Sequence, residues 1–378
     1  VTELPLLSGA LGLLLAAGLA ERLLRDRALR AIPVRVHVNG TRGKSTVTRL
    51  VAAALRAHGV PTLAKVTGTE ARVILPDGSE RPLRRRGRPN VREQLAFLRL
   101  ARRLRARAVV AECMAIRPDL QAATEDDMLR ATVGVVTNVR TDHTEVMGSD
   151  LAAIAAALSS TVPRGGVLVL GEPAFEGLFS ARARERGTRV VVAEPAAAGA
   201  PSWLDECTAT ALAVTRLLGV PDDAAREAMR AAAPDPGAFR AFTATFGGSP
   251  VPLLDARAAN DPESLLALAA SAPELSGARP IVAVYNHRHD RPDRLLRFAP
   301  ALASLAGGPF LVTGDAPAFT LARAVRRASG NRDLPFVPAA RLRGALAMRH
   351  PGAVLLCGNT RGLDPRAVAG LPGGPAAG

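Results

Sequence analysis

The chain has 378 residues, 48% hydrophobic and 22% charged, which excludes a disordered chain and allows two or three domains with a sizeable core. Its formal charge is +15, from 49 Lys+Arg against 34 Asp+Glu, so acidic partners are expected: nucleic acid, an anionic membrane face or an acidic substrate. One Trp, one Tyr and ten Phe supply few base-stacking platforms, so nucleic acid is ranked last and is not expected as a partner.

In chain order, Leu4–Ala20 comes first, seventeen residues without a charge, followed by Arg22, Arg25, Arg27 and Arg30. That length is the low end of a membrane-spanning helix, and the arginines after it would hold the adjoining domain in the cytoplasm. The same segment also reads as a buried or interfacial helix, so residues 1–31 are expected to be an N-terminal apolar helix, either anchoring or interfacial. Val34–Asn39 reads as a buried strand, and Lys44–His58 as a helix with Val47, Leu50, Val51, Ala54 and Leu55 on one face. A short strand at Val73–Leu75 ends in the turn Pro76-Asp77-Gly78. A basic run comes next, with Arg81, Arg84, Arg85, Arg86 and Arg88, which is either a solvated loop or a site that captures an anionic substrate. Val91–Arg105 is helical, Ala108–Glu112 and Thr132–Asn138 are strands, and Leu151–Ser160 is a helix capped by Asp150. Strands at Val167–Leu170 and Arg189–Val192 precede helices at Trp203–Leu218 and Asp222–Ala231.

Pro234-Asp235-Pro236-Gly237 is the strongest internal breaker and predicts a domain boundary, dividing 32–233 from 234–378. Beyond it strands at Val251–Asp255, Pro280–Tyr285, Phe310–Thr313 and Ala353–Leu356 alternate with helices. The alternation predicts an α/β protein: a doubly wound central domain carrying a P-loop, then a smaller Rossmann-like C-terminal domain. The tail after Pro365 is rich in Gly, Pro and Ala and is expected to fray. The cysteines, Cys113, Cys207 and Cys357, lie far apart with no CxxC, which suits a reducing compartment.

The chemistry concentrates at Val36–Thr46, VHVNGTRGKST, between a strand and a helix. Glycines let backbone amides approach phosphate oxygens, and the helix N-terminus adds its positive dipole end. Lys44 would reach the β- and γ-phosphates and the Ser45 hydroxyl would bind Mg²⁺. The first glycine of the usual phosphate-loop pattern is replaced by Val38, but the strand before and the helix after keep the reading. The expected nucleotide-binding stretch is Asn39, Gly40, Thr41, Arg42, Gly43, Lys44, Ser45 and Thr46. Only two cations in the chain are lysines, Lys44 and Lys65; Lys65 is either near the site or a solvated loop residue. Glu112, at the end of a hydrophobic strand, is well placed for Mg²⁺ directly or through water. Asn138, Asp142 and His143 gather at another strand end, although the residues alone slightly favour a surface-loop histidine for His143. In the second domain Asp255 ends a strand, where it suits a ribose hydroxyl, and Arg257 could face phosphates; Asp261 before Pro262 suits a helix cap.

With GTRGKST, Glu112 and TNVRTDH followed by Met147-Gly148, the chain resembles the Mur ligase superfamily, ATP-dependent amide ligases that include the folylpolyglutamate synthetases. VHVNGTRGKSTVTRLVAAALR, KVTGT, Gly87–Gln94, AECMAIRPDLQ and AANDPES make it most similar to the family of poly-γ-glutamate synthase ligase subunits. The resemblance implies ATP at the Lys44 loop, with Lys44, Glu112 and His143 as the catalytic group. It puts Ser45, Glu112 and His143 around Mg²⁺ and Asn138 near the nucleotide, and matches Arg240, Asp255, Arg257 and Asn260 to positions that close over ribose and phosphate. Several superfamily members use a modified lysine for a second metal; the matching stretch here, Ile154–Ser160, has none. The implied reaction is γ-glutamyl bond formation through an acyl phosphate. The implied partners are glutamate, anionic poly-γ-glutamate and membrane subunits of a polyglutamate synthase, at the cytoplasmic face of the plasma membrane; a homo-oligomer is compatible. The alternatives are a Mur or folylpolyglutamate-type ligase on a small acceptor, and a P-loop NTPase that drives a partner without making a bond.

Overall fold

The computed structural model describes residues 3–68, 71–85, 87, 89–194, 203–232, 240–257, 259, 261–275, 277–278, 280–360 and 362–371. By its internal contacts the chain divides into two compact units, Val1–Asp235 and Pro236–Gly378.

The first unit opens with helix α1 (Glu3–Ala31), strand β1 (Val34–Asn39) and helix α2 (Lys44–Ala57). Then come β2 (Thr62–Val66), β3 (Arg72–Ile74), β4 (Glu80–Pro82), helix α3 (Glu93–Arg103), β5 (Ala108–Glu112), β6 (Val133–Val136), β7 (Val167–Leu170) and β8 (Arg189–Val192). They form one sheet in the order β4-β3-β2-β5-β1-β6-β7-β8. Pairing is parallel except for the antiparallel β3 and β4 edge. The central strands are runs of Val and Ala because both faces are covered. On one face Val47, Val51 and Leu55 of α2 pack with Val36, Val38 and Val110. On the other, Leu29 and Ile32 pack with Phe97, Leu98 and Ala101 of α3 and its surroundings.

Two features lie outside the elements read from the sequence. The strand β2 is one: in the sheet all five residues of TLAKV are buried, Lys65 included. The other is the stretch at Thr124–Leu129, which is π-helical and turns Glu125 inward, where its carboxylate lies 2.8 Å from Nδ1 of the buried His37 in β1. Burial alone would lower the His37 pKa, but the neighbouring Cys113 and Glu125 outweigh it and raise it to about 9.

The expectation of a spanning anchor at Leu4–Ala20 is corrected: among the described residues no helix is long and apolar enough to cross a membrane. Seventeen helical residues rise only about 26 Å, short of the hydrocarbon thickness, and Gly and Ala dilute their hydrophobicity. Instead α1 runs on through its arginines, and its last turns join the core through Ala28 and Leu29. Upstream, Leu11, Leu13, Leu14, Leu15 and Leu19 stand exposed.

The second unit holds β9 (Arg240–Phe246), β10 (Ser249–Asp255), β11 (Ile281–His287), β12 (Leu311–Gly314) and β13 (Ala353–Gly358), ordered β12-β11-β13-β10-β9. β9 is antiparallel and joins β10 through Gly247-Gly248, both with positive φ, as a tight hairpin demands. β10, β13, β11 and β12 are parallel. The chain beyond Asp364 does not fray at once: Asp364 caps a helix at Pro365–Ala369.

Candidate active site

In the first unit β1 lies between β5 and β6, so the carboxyl ends of three parallel strands converge. Ligands of open α/β sheets bind outside such ends, where the strand order reverses. Asn39, Glu112 and the residues after Val136 mark the three ends.

The loop from β1 to α2 is held by the segment after β6. Asn138 Oδ1 accepts hydrogen bonds from Thr41 Oγ1 (2.7 Å) and from the Arg42 amide (2.9 Å), and its Nδ2 donates to the Arg42 carbonyl (3.2 Å). Thr137 Oγ1 donates to that same carbonyl at 2.6 Å. The Thr41 amide donates to the Asn138 carbonyl (3.1 Å), and the Arg140 amide to Thr41 Oγ1 (2.9 Å). Gly40 lies so close that a Cβ would stand 2.1 Å from Thr137 Oγ1 and 2.8 Å from the Thr137 nitrogen, and its φ is +124°. Asn138 therefore shapes the loop, a more specific role than nearness to the nucleotide. Thr137 does the same; sequence reasoning misses it, although it directly precedes Asn138 in TNVRTDH.

Gly43, with φ +80°, precedes α2, and no side chain caps that helix. The first amides of a helix lack intrahelical partners, so those of Lys44, Ser45 and Thr46 suit phosphate oxygens. Lys44 Nζ bends back to donate to the carbonyls of Gly40 (2.7 Å) and Thr41 (3.3 Å), which keeps the ammonium over the loop. Arg42 pairs with Asp142 at 2.7 Å. Asn39, expected among the nucleotide contacts, is turned away: its Nδ2 donates to Gln121 Oε1 (2.8 Å) and Thr161 Oγ1 (3.1 Å) in the interior.

Glu112 is buried, and its Oε2 accepts from Ser45 Oγ (2.8 Å) and from the Thr67 amide (2.7 Å). Gly68 packs over this pair, since a Cβ there would meet Ser45 Oγ at 2.6 Å. Hydroxyl and carboxylate oxygens are the donor set of a hard divalent cation that takes its other ligands from phosphate and water. The residues present thus fit a nucleotide with such a cation. Among the described residues no group of three or more His, Cys, Asp and Glu could hold a metal by itself. His143, expected beside Ser45 and Glu112, has a half-exposed ring that faces Glu145 (3.3 Å) and Asp142 (3.9 Å), just before the short helix Thr144–Met147.

Lys65 belongs beside this site rather than on a solvated loop. It is buried in β2, opposite Ala111 and so one residue from Glu112 along β5, with Nζ 3.9 Å from Glu93 Oε2. Burial, only partly offset by Glu93, lowers its pKa to about 8.

In the second unit the β9–β10 register sets Arg240 opposite Asp255. The Asp255 carboxylate holds Arg257 through Nε (2.7 Å) and a terminal nitrogen (2.9 Å). Arg257 donates further to the carbonyls of Thr360 (2.9 Å) and Leu363. The pair is buried and mutually occupied, so the expectation of Arg257 facing phosphates is corrected: it ties the end of β10 to the segment after β13. Asp261 caps the helix Pro262–Ser271. Asn260 lies outside the described residues.

Residues 38–200 match the Mur ligase middle domain, and residues 241–362 match the poly-gamma-glutamate synthase CapB C-terminal domain. The chain is 36% identical over 302 residues to PGA synthase CapB of Bacillus subtilis, covering 77% of this chain and 76% of that one. It is 37% identical over 297 residues to capsule biosynthesis protein CapB of Bacillus anthracis, covering 76% of this chain and 64% of the relative. Among solved structures, E. coli FolC in complex with DHPP and ADP superposes with a TM-score of 0.67 at 19% identity, over 93% of this chain and 91% of FolC. A bifunctional folylpolyglutamate synthase/dihydrofolate synthase with Mn, AMPPNP and L-glutamate bound gives 0.63 at 18% identity, over 90% of each chain. These structural likenesses establish the fold, and the sequence relatives go further: the chain belongs to the CapB family of poly-gamma-glutamate synthase proteins, built on the Mur ligase middle domain.

Proposed function

We propose that this chain is an ATP-dependent amide ligase that forms γ-glutamyl bonds in poly-γ-glutamate synthesis, with Mg²⁺ as its metal. The observation that carries the reading is the Ser45–Glu112 pair beside an uncapped, glycine-shaped helix N-terminus. The names of the relatives, synthase and capsule proteins, supply the substrate class.

In the reaction a glutamyl γ-carboxylate oxygen attacks the γ-phosphorus of ATP, and the bond to the β-phosphate oxygen breaks. ADP leaves and an acyl phosphate forms. The amino group of the next glutamate then attacks the acyl carbon, loses a proton and expels phosphate, leaving the amide. Phosphoryl transfer of this kind needs positioning and neutralised charge more than covalent help. The amides of Lys44 to Thr46 would hold phosphate oxygens, and the Lys44 ammonium would turn from the loop carbonyls to the transferring group. Thr137 and Asn138 keep the loop in the shape that aims those amides. Ser45 and Glu112 would hold the divalent ion, which neutralises phosphate charge when bound. The surplus of arginine favours an acidic substrate and product.

We also assign the chain to the cytoplasmic face of a membrane, beside membrane subunits of a synthase. The exposed leucines of α1 support attachment along the surface rather than across the bilayer.

The test is ADP release against a panel of amino acids, with the purified chain alone and with membranes that supply its partners. Glutamate should stimulate release, and Lys44→Ala should reduce it by about 10²-fold or more. ADP release indifferent to every amino acid would instead make the chain a P-loop NTPase that drives a partner.

A further inference from the structure

Beside β3 and β4, where α3 runs past, lies an open pocket of about 470 Å³, within the range of small-ligand sites. Its floor is apolar, from Val73, Leu83, Phe97 and Leu100. Its charged lining is Arg84, Arg85 and Arg103 against one carboxylate, Glu93. That carboxylate is already taken: Arg85 donates to it through Nε (2.7 Å) and a terminal nitrogen (3.2 Å). Arg84 and Arg103 have no acidic partner among the described residues.

Apolar floor and guanidinium rim together select a ligand that alternates methylenes with carboxylates. A γ-linked glutamyl chain is such a ligand, because each residue places two methylenes in the backbone and one carboxylate beside it. Guanidinium forks match carboxylates geometrically. A polynucleotide would instead need stacking faces, and the one aromatic in the lining, Phe97, is buried in the core.

The pocket is also wired to the phosphate site. Glu93 in its wall approaches the buried Lys65 of β2, and β2 leads into Thr67, whose amide holds Glu112. A chain end held here would meet Glu93, which in turn approaches that strand through Lys65.

We infer that this pocket binds the acidic γ-glutamyl chain, its carboxylates on Arg84, Arg85 and Arg103 and its methylenes on the apolar floor. The inference rests on the ligase reading for the identity of the chain, while the binding itself is measured separately.

The experiment uses the full chain and a fluorescent γ-linked glutamate decamer, followed by anisotropy without nucleotide at fixed salt. Arg84→Ala with Arg103→Ala should weaken binding roughly tenfold or more, the effect of about 1.4 kcal/mol in affinity. Ala96→Trp fills the pocket from an exposed helical position while leaving every charge, and should also weaken binding. Arg182→Ala with Arg230→Ala removes the same charge elsewhere on the first unit and should change affinity less than twofold. Unchanged binding in both pocket variants, or equal weakening in the distant control, overturns the pocket. ADP release separates the two readings. Glutamate-dependent release with an unaltered KM for the decamer in the double variant leaves the ligase standing and removes the pocket. Pocket-dependent binding with no glutamate-dependent release removes the ligase and keeps the pocket as a polyacid site.

Discussion

Replacing Asn138 by Ala tests whether the loop is shaped from β6 or holds its own form. The side chain is 7% exposed and makes three hydrogen bonds to the loop, two as acceptor and one as donor. Each such bond contributes about 0.5–1.5 kcal/mol, and a buried group left unpaired costs about 1–3 kcal/mol. Thr41 keeps a fallback, since its hydroxyl also reaches the Asn138 carbonyl at 3.3 Å. The Arg42 amide loses its bond to this side chain, while its carbonyl keeps the bond from Thr137. The loss is therefore two bonds, about 1–3 kcal/mol in total. Part of it falls on the fold and part on the nucleotide, because a slack loop no longer presents the Lys44 to Thr46 amides together. Urea unfolding followed by circular dichroism reads the first, and the Kd of a fluorescent ADP analogue reads the second. The expected result is a lower midpoint together with nucleotide affinity reduced about tenfold. If stability falls by less than about 0.5 kcal/mol and ADP binds as before, the clamp argument is wrong.

Two further outcomes rest on buried charge and exposed apolar surface. Lys65 is pushed to about 8 from an ordinary 10.5 by burial, so the unfolded chain binds more protons between those values and stability rises with pH across them. Lys65→Met should thus be more stable than the parent by roughly 3 kcal/mol below pH 8, with the advantage fading by about pH 10.5; parallel stability curves across that window would refute it. For α1, the parent chain should float with anionic liposomes, and Leu11→Ser with Leu15→Ser should leave it in the soluble fraction without altering ADP release; equal flotation of both would exclude these leucines from membrane attachment.

The sequence by itself determined the phosphate loop, because glycine spacing, a lysine and a hydroxyl between a strand and a helix are local facts about one stretch of chain. It also determined most of the alternation, since strands buried on both faces read as runs of Val and Ala in any order they pair. Glu112 was legible as a carboxylate at a strand end. Only the tertiary structure decided which oxygen donors meet: Ser45 and Glu112 join because β1 and β5 are neighbours, while His143, just before a short helix, faces Glu145. It turned Asn39 and Arg257 inward, where an amide and a guanidinium that suit a ligand satisfy the protein instead. It placed Lys65 in the sheet, because a long side chain can be buried when a carboxylate such as Glu93 stands near its end. And it showed that α1 continues past its apolar run and joins the core through Ala28 and Leu29, which the seventeen uncharged residues by themselves do not reveal.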